Sequence, residues 1–377
     1  MRKSYVSYFF MKIKGGDIFV APRTAYQYLA LKYSRARHKP FIGPLHGSII
    51  ATYRCNLRCS MCELYKRPAE YEKAGKCELS TSEMKRVIDD FAAIRTAGIG
   101  FTGGEPLLRQ DMIELIAYAK SKGMITHMSS NGFAINEATA KKIMKSGLDA
   151  IGFSLDGSTK ETHDGIRGVN GSYDRVINAI SIFNKLNKTA KKKIIIIVVT
   201  VISTLNLHEI KDIVYKLKKM GVDKISFIPF HDIGVLSDST PKMGRHKIRR
   251  EELEKLDEVI DELAMIRKKE SIIDSSEGYL RMFKYCFRDR PSPVPCYAGY
   301  ATLAIDGYGD IYPCFPFAEI GLKGHVTNVR DIRLKDYWKS KKMQGVRDSI
   351  RDCRKCYWNN QAEINLLFYP NKIKGIK

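Results

Sequence analysis

Residues 55–62 read Cys-Asn-Leu-Arg-Cys-Ser-Met-Cys and follow an apolar run at residues 48–52. Three thiols, those of Cys55, Cys59 and Cys62, are thereby placed on one short segment. Thiolates are the usual ligands of iron-sulfur clusters, and four of them saturate a four-iron cluster. Three thiolates leave one iron open to the amino and carboxylate groups of a small ligand. A structural zinc site is the alternative, although zinc sites favour paired Cys-x-x-Cys units.

The chain around this segment alternates short apolar runs with stretches of helical period. Such alternation predicts an α/β fold in which parallel strands are joined by crossover helices. The segment 232–246 is rich in Ser, Asp, Thr, Pro and Gly and predicts a linker. An amphipathic helix is predicted after it, at residues 251–269. The six predicted strands lie at residues 48–52, 98–101, 124–128, 150–154, 194–201 and 224–228.

Polar motifs follow the predicted strands one after another. A Gly-Gly-Glu-Pro segment comes directly after the second strand, and Ser-Asn-Gly after the third. The fourth strand ends in Ser-Leu-Asp-Gly, which leads to a His-Asp-Gly-Ile-Arg-Gly segment at residues 163–168. Each motif alone is typical of a surface turn. As a set behind the cysteine triplet, they closely resemble the radical S-adenosylmethionine (SAM) superfamily.

This resemblance implies a fold, a chemistry and a set of binding residues. The fold is expected to be a partial (β/α)6 TIM-type barrel. An electron from a [4Fe-4S] cluster would cleave SAM, and the resulting 5′-deoxyadenosyl radical would abstract a hydrogen atom from the substrate. For His163 and Arg167 the alternative is a role in capping and salt-bridging a loop. The cofactor-binding residues implied by the resemblance are Gly103, Gly104, Glu105, Pro106, Ser130, Asn131, Ser154, Asp156, Arg167 and Ile228.

The C-terminal part of the chain carries a second group of cysteines. Cys296 and Cys314 enclose a segment in which Gly309 lies five residues before Cys314. The group ends with the Cys-x-x-Cys pair of Cys353 and Cys356. This arrangement resembles the SPASM or twitch domains that hold auxiliary iron-sulfur clusters in radical SAM enzymes. Cys286 could replace one ligand, a zinc ribbon is the alternative, and Cys77 is interpreted as a bystander. One auxiliary [4Fe-4S] cluster is expected on Cys296, Cys314, Cys353 and Cys356.

The charge is strongly positive, with 64 Lys and Arg against 41 Asp and Glu, which predicts an anionic substrate or surface. Ten basic residues precede the cysteine triplet, with Asp17 as the only acid and with many interleaved aromatic residues. This pattern predicts a basic amphipathic arm that docks on an anionic surface, with a solvated arm folded onto the barrel as the alternative. The domains are predicted as an arm at 1–47, a barrel at 48–235, a linker and helix at 236–290, and an auxiliary cluster domain at 291–377.

The expected function is that of a radical SAM enzyme that modifies a peptide or protein. A lipid-linked or isoprenoid substrate at the membrane surface is the alternative, and RNA modification or a non-enzymatic iron-sulfur protein is less favoured. An external electron donor of the ferredoxin or flavodoxin type is the expected partner. No apolar run is long enough to span a bilayer, and the N-terminus does not show a signal-peptide pattern. A cytoplasmic location is therefore predicted, peripheral to the membrane if the arm docks.

Overall fold

The computed structural model of this protein describes residues 20–230, 244–318, 326–355 and 357–369. In that part of the chain nine strands form one sheet, in the order β6-β5-β4-β3-β2-β1-β7-β8-β9. Strands β1 to β7 pair in parallel, whereas β8 and β9 are antiparallel to their neighbours. The strands are β1 His46–Thr52, β2 Gly98–Gly103, β3 Ile125–Ser130, β4 Ala150–Ser154, β5 Ile195–Ile202, β6 Lys224–Pro229, β7 Thr302–Asp306, β8 Asp310–Tyr312 and β9 Thr327–Asn328.

Helices connect the first six strands in the order that the sequence predicts. A single crossover helix follows β2, β3 and β5, and two helices lie between β4 and β5, since parallel neighbouring strands need a crossover connection. The helices are α1 Val20–Ala36, α2 Arg67–Lys73, α3 Thr81–Ala93, α4 Met112–Ser121, α5 Glu137–Lys145, α6 Lys160–Arg167, α7 Ser172–Thr189, α8 Ile210–Met220, α9 Leu253–Lys269, α10 Glu277–Cys286, α11 Phe315–Ala318, α12 Leu334–Tyr337, α13 Lys341–Ser349 and α14 Asn359–Phe368.

Local sequence explains where the helices begin and end. Helix α3 starts with a complete capping box, in which the Ser80 hydroxyl accepts from Glu83 N and Glu83 accepts from Ser80 N. Helix α8 ends at Gly221, whose φ of 74° is the left-handed cap that glycine adopts without strain. The main core lies between these helices and the outer face of the sheet, where Ile49, Phe101 and Phe153 are buried. Side chains alternate along a strand, so the residues between them face the barrel interior.

The C-terminal segment continues the barrel sheet. Strand β7 lies parallel to β1, with His46 opposite Thr302 and Ile50 opposite Asp306. The β7–β8–β9 meander then turns away antiparallel and carries Cys314 just after β8. The sequence predicted a cluster domain in this region but not the pairing of its first strand with β1. This pairing fixes the second cysteine group against the strand that leads into the first.

Candidate active site at the carboxyl ends of the strands

The cysteine loop is held against the C-terminal end of α6. Ser60 N donates to Ile166 O at 2.8 Å, and Arg58 N donates to Arg167 O at 3.2 Å. Gly168 follows with a φ of 71°, and a Cβ at this position would collide with Arg58 O. The glycine that ends the 163–168 motif is therefore needed for the close approach of two backbone segments.

Arg167 brings a buried positive charge to the three thiols. Its Nη1 lies 3.8 Å from Cys59 Sγ, and its Nη2 lies 2.5 Å from Asp156 Oδ2. Burial opposes the charged guanidinium, but Asp156 and the cysteine thiolates outweigh it, so the pKa of Arg167 is raised. Arg167 Nε is buried without a hydrogen-bond partner among the described residues. The site therefore holds a cation beside thiolates and keeps one donor available for an anionic ligand group.

Glu105 is completely buried and fixed by three donors. Its Oε1 accepts from Ser130 Oγ at 3.0 Å and from Leu107 N at 3.2 Å, and its Oε2 accepts from Asn131 N at 2.8 Å. Burial raises the pKa of Glu105 to about 7, although these hydrogen bonds favour the carboxylate. These three hydrogen bonds orient the Glu105 carboxylate at the ends of β2 and β3. Such a group suits the amino group of a ligand.

Gly103 and Gly104 are required by the packing of the chain itself. A Cβ on Gly104 would come within 2.6 Å of Tyr53 O and closer still to Arg54 O. The end of β2 therefore lies directly against the segment that leads into Cys55. The sequence predicted that the two glycines bind a ligand. The structure shows in addition that both are needed for close packing of the backbone at the end of β2.

The remaining predicted residues lie around the same edge of the sheet. Pro106 is buried at the start of a short 3-10 turn after Glu105. Ser154 is the last residue of β4, and Asp156 lies two residues beyond it. Ile228 is buried on β6 but belongs to none of the hydrophobic core clusters. Side chains alternate along a strand, so Ile228 faces the barrel interior while its neighbours on β6 face the helices. The parallel register thus brings the predicted SAM residues to one edge of the sheet.

His163 has the loop-capping role given as its alternative. Its Nδ1 accepts from Asp156 N at 3.1 Å, and burial lowers the pKa of His163 to about 3. A neutral imidazole accepts this hydrogen bond and fixes the backbone of Asp156. His163 therefore positions the carboxylate that pairs with Arg167.

The C-terminal cysteines form a second group. Cys296, Cys314 and Cys353 pack together with Ile350, and burial raises the pKa of Cys296 to about 11. Cys296 Sγ accepts from Ala298 N at 3.3 Å, just as Cys55 Sγ accepts from Leu57 N at 3.4 Å. Cys356 lies outside the described residues.

Two other cysteines lie apart from this group. Cys286 lies in the main core, with its Sγ 4.0 Å from Phe230 O. Cys77 is exposed, with Arg330 Nη2 3.8 Å from its sulfur. Neither packs with Cys296, Cys314 and Cys353 among the described residues.

A buried carboxylate links the two cysteine groups. Asp306, at the end of β7, accepts from Tyr53 OH at 3.2 Å and from Tyr312 OH at 3.0 Å through the same Oδ2 atom. Tyr53 lies two residues before Cys55, and Tyr312 lies two residues before Cys314. A hydrogen-bonded bridge of three side chains therefore connects the two cysteine segments.

Further donors complete this network. Tyr71 OH donates to the same Oδ2 at 2.6 Å, and Asp306 Oδ1 accepts from Tyr308 N and Asp310 N at 3.0 and 2.9 Å. Burial and the charge of Asp310 raise the pKa of Asp306 to about 6. Asp306 thus accepts from five donors, of which Tyr53 and Tyr71 belong to the barrel part of the chain and the other three to the C-terminal segment.

Sequence reasoning missed several residues of this site. Asp306 was not singled out, although an acidic residue inside an apolar strand is a signal for a buried hydrogen-bonded role. His246 is fully buried and lies 2.8 Å from Ser60 Oγ in the cysteine loop, but it comes from a segment read as a linker. Asn56 accepts from Asn131 Nδ2 at 2.8 Å and ties the cysteine loop to β3. No local pattern predicts these pairings.

Two histidines in the barrel interior were also not predicted. His46 and His127 face each other across β2, where Gly100 leaves the room for both rings. Burial lowers the pKa of each to about 4, so both are neutral near pH 7. They occupy the interior of the barrel below the predicted SAM residues, on strands β1 and β3.

The donor set fits an iron-sulfur cluster and SAM. The three thiols lie close enough to Arg167 or to one another to interact electrostatically, and the backbone amide of Leu57 donates to Cys55 Sγ. Glu105 supplies an oriented acceptor, and Arg167 Nε supplies an unused buried donor. Thiolate ligands beside these two groups match the chemistry of a cluster that binds an amino acid ligand.

Comparison with protein families agrees with this donor set. Residues 49–217 match the radical SAM superfamily, and residues 296–357 match the SPASM family, described as an iron-sulfur cluster-binding domain. The chain carries a radical SAM domain followed by a SPASM domain. Radical SAM domains use a [4Fe-4S] cluster and SAM, and SPASM domains bind auxiliary iron-sulfur clusters.

Individual relatives of this radical SAM chain have different named functions. A Fe-coproporphyrin III synthase of Methanosarcina barkeri is 43% identical over 129 residues, which cover 34% of this chain and 31% of the relative. A PqqA peptide cyclase of Granulibacter bethesdensis is 27% identical over 313 residues, 81% of this chain and 77% of the relative. The chain thus spans less than a third of the first relative and about three quarters of the second.

A solved structure shows the same fold. The crystal structure of Streptococcus suis SuiB superposes with a TM-score of 0.64 and 20% identity, over 91% of this chain and 79% of that chain. The partial barrel with a C-terminal cluster domain, expected from the resemblance, is thereby confirmed. None of the helices in residues 20–230, 244–318, 326–355 and 357–369 is long and apolar enough to cross a membrane.

Proposed function

We propose that Cys55, Cys59 and Cys62 hold the SAM-binding [4Fe-4S] cluster. When reduced, this cluster would supply one electron to cleave SAM into methionine and a 5′-deoxyadenosyl radical, which would abstract a hydrogen atom from the substrate. The observation that supports this assignment is the convergence of the three-thiol loop with Arg167 and Glu105 at one edge of the sheet. Each group comes from a different strand-helix connection. Their meeting is the arrangement that such chemistry needs.

The residues of the chain bind and orient the cofactor in this proposal. Glu105 accepts a hydrogen bond from the SAM amino group, while Ser130 and Asn131 hold its carboxylate in place. Arg167 offers Nε to the SAM carboxylate and stabilises the thiolates through its charge. The wall around the bound SAM is formed by the other predicted residues, which are Gly103, Gly104, Pro106, Ser154, Asp156 and Ile228.

An auxiliary [4Fe-4S] cluster is proposed on Cys296, Cys314, Cys353 and Cys356. The support is that the first three pack together and that Cys296 accepts a backbone hydrogen bond like that of Cys55. Radical SAM enzymes need an electron donor, and the net charge of +23 favours an acidic ferredoxin or flavodoxin.

The proposed substrate is a peptide or protein with acidic character. The similarity to a PqqA peptide cyclase extends over 81% of this chain, and the positive net charge favours an anionic partner. An iron tetrapyrrole is the second candidate, because the Fe-coproporphyrin III synthase reaches 43% identity over its matched segment. Anaerobic incubation with candidate peptides or porphyrins, followed by mass spectrometry, distinguishes the two.

The reaction itself is tested with a triple Ala variant of Cys55, Cys59 and Cys62. With SAM and dithionite, the wild-type protein is expected to form 5′-deoxyadenosine, and the variant to lose this activity by more than 100-fold. Cys77→Ala is the matched control, since Cys77 is exposed and lies away from the loop. Formation of 5′-deoxyadenosine by the triple variant at the wild-type rate would contradict the assignment.

A further inference from the structure

Helix α1 has two faces of different character. On the inner face Leu31 is fully buried, and Tyr28 stacks on Phe368 of α14 with ring centroids 5.2 Å apart. Tyr297 stacks on the other side of Phe368 at 3.9 Å. This half of the helix is therefore part of the folded protein, in agreement with the alternative prediction of a folded arm.

Arg35 anchors the inner face at the auxiliary cysteine site. Its guanidinium donates to Cys296 O through Nη1 and to Arg351 O through Nη2, the latter at 2.7 Å. The guanidinium carbon also lies 4.7 Å from the centre of the Tyr297 ring. Because Arg35 is buried, these contacts hold the helix in one orientation. The position of the outer face is thus fixed relative to the cysteine site.

The outer face leaves large apolar side chains in solvent. Tyr26, Leu29 and Tyr33 follow the i, i+3, i+7 spacing of one helix face and are 60%, 63% and 48% exposed. Phe41 is 50% exposed and lies 4.7 Å from Tyr33, centroid to centroid. Among the described residues, seven large apolar side chains are this exposed, and four of them lie here. We call this group of four the outer patch.

The charge around the outer patch is positive. The sequence contains no Asp or Glu from residue 18 to residue 62. Lys32, Arg37 and Lys39 are exposed, and the Arg37 guanidinium lies 5.4 Å from the Tyr33 ring centre. Asp348 brings an acidic group to this segment and pairs with His38 at 2.9 Å. An apolar patch with surrounding cations is complementary to an apolar layer beneath anionic groups.

We propose that the outer patch docks this enzyme on a bilayer containing anionic lipid. Aromatic side chains and Leu insert at the level of the headgroups, and Lys and Arg bind the lipid phosphates and carboxylates. Each Lys or Arg near such a surface strengthens binding about fivefold, so three of them give about 100-fold. An acidic peptide would pair with the cations but would leave the exposed side chains of Tyr26, Leu29, Tyr33 and Phe41 in water.

This docking goes beyond the proposed reaction and does not depend on it. Arg35 joins the docking helix to the Cys296 backbone, so the auxiliary site would lie close to the membrane surface. Lipid-linked or isoprenoid substrates would then reach the enzyme without leaving the bilayer. The sequence predicted docking by the whole arm at residues 1–47, of which residues 1–19 lie outside the described residues. From residue 25 to residue 47, the exposed large apolar side chains lie on one face of α1 and at Phe41.

Vesicle flotation of the full-length holoenzyme tests the proposal. Wild type is expected to float with phosphatidylcholine vesicles that contain phosphatidylserine, to stay behind with pure phosphatidylcholine, and to bind less in high salt. Leu29→Ser with Tyr33→Ser is expected to weaken binding at least tenfold. Lys32→Glu with Lys39→Glu is expected to abolish it. Tyr215→Ser with Met265→Ser is the matched control, because both residues are similarly exposed elsewhere.

Formation of 5′-deoxyadenosine and the iron content are measured for every variant. If a variant keeps normal 5′-deoxyadenosine formation and iron content but no longer floats, membrane docking is supported as a property separate from the reaction. If a variant loses activity but still floats, the result bears on the proposed reaction and not on docking. Equal flotation of wild type and the Leu29, Tyr33 double variant would overturn the proposal. Binding to a soluble polyglutamate peptide without binding to acidic vesicles would also overturn it, in favour of an acidic peptide partner.

Discussion

At the scale of single residues, Asp156 and Arg167 show how a buried ion pair organises the site. Asp156 is completely buried, and Arg167 is nearly so, with 2.5 Å between Oδ2 and Nη2. The cost of burying both charges is offset because Arg167 also lies beside Cys59 and Asp156 also accepts from Val201 N at 2.8 Å. Removing one partner leaves the other charge buried alone.

We expect Arg167→Ala to lower the free energy of unfolding by about 3–5 kcal/mol, because Asp156 would lose its cation. Urea unfolding of the cluster-free protein measures this without interference from iron loss. Lys160→Ala on the same helix is the control, since the Lys160–Asp174 pair is 58% exposed on both sides and solvent screens such pairs, so that little loss of stability is expected. Equal effects of the two substitutions would show that the buried pair is not structurally important.

Much of this residue-level picture could be predicted from the sequence. The strand-end motifs identified Glu105, Asp156 and Arg167, because their order along the chain resembles a known family. The contact of Arg167 with Cys59 could not be predicted, since it depends on how α6 ends against the cysteine loop. The resemblance gave Arg167 as a SAM-binding residue, and this assignment stays a prediction.

At the scale of elements, the β7–β8 hairpin and the cysteine loop are joined through Asp306. The six parallel strands were predicted to within a few residues, because each is a short apolar run between helical segments. The partner of β7 could not be predicted in the same way, since a pairing between residues 46–50 and 302–306 leaves no local pattern. The Tyr53–Asp306–Tyr312 bridge follows from that pairing.

Tyr312→Phe is expected to destabilise the cluster-free protein by about 1–3 kcal/mol, because Asp306 would lose a buried donor. Tyr308→Phe is the matched control. Its ring stacks on Tyr71 at 4.0 Å within the same group, but its hydroxyl makes no hydrogen bond to Asp306. We expect that control to stay within about 0.5 kcal/mol of wild type. A larger loss for Tyr308→Phe than for Tyr312→Phe would show that ring packing, not the hydrogen bond, stabilises the group.

At the scale of the whole molecule, two cysteine groups are fixed on one continuous sheet. Three thiols follow β1, and Cys314 follows β8, with β7 between the two strands. The positions of both groups are therefore set by backbone pairing instead of by a flexible linker.

We expect anaerobic reconstitution to give about eight iron and eight sulfide per chain, four for each cluster. Cys296→Ala with Cys314→Ala should reduce both to about four, with 5′-deoxyadenosine formation as evidence that the first cluster remains. Cys286→Ala is the control and should keep the full content, because Cys286 lies in the main core. About four iron and one zinc in the wild type would support a zinc ribbon at the C-terminal site.

The pairing of β1 with β7 also affects how this chain is made. On the ribosome β1 emerges early, but the strand that covers its outer edge follows roughly 250 residues later. At about 5–20 residues per second, that edge is open for about 10–50 s, next to three reduced thiols. An unpaired strand edge attracts other strands, so chaperone protection during this interval would limit aggregation of the nascent chain. Synthesis rate, and not only iron supply, would then set the yield of active enzyme.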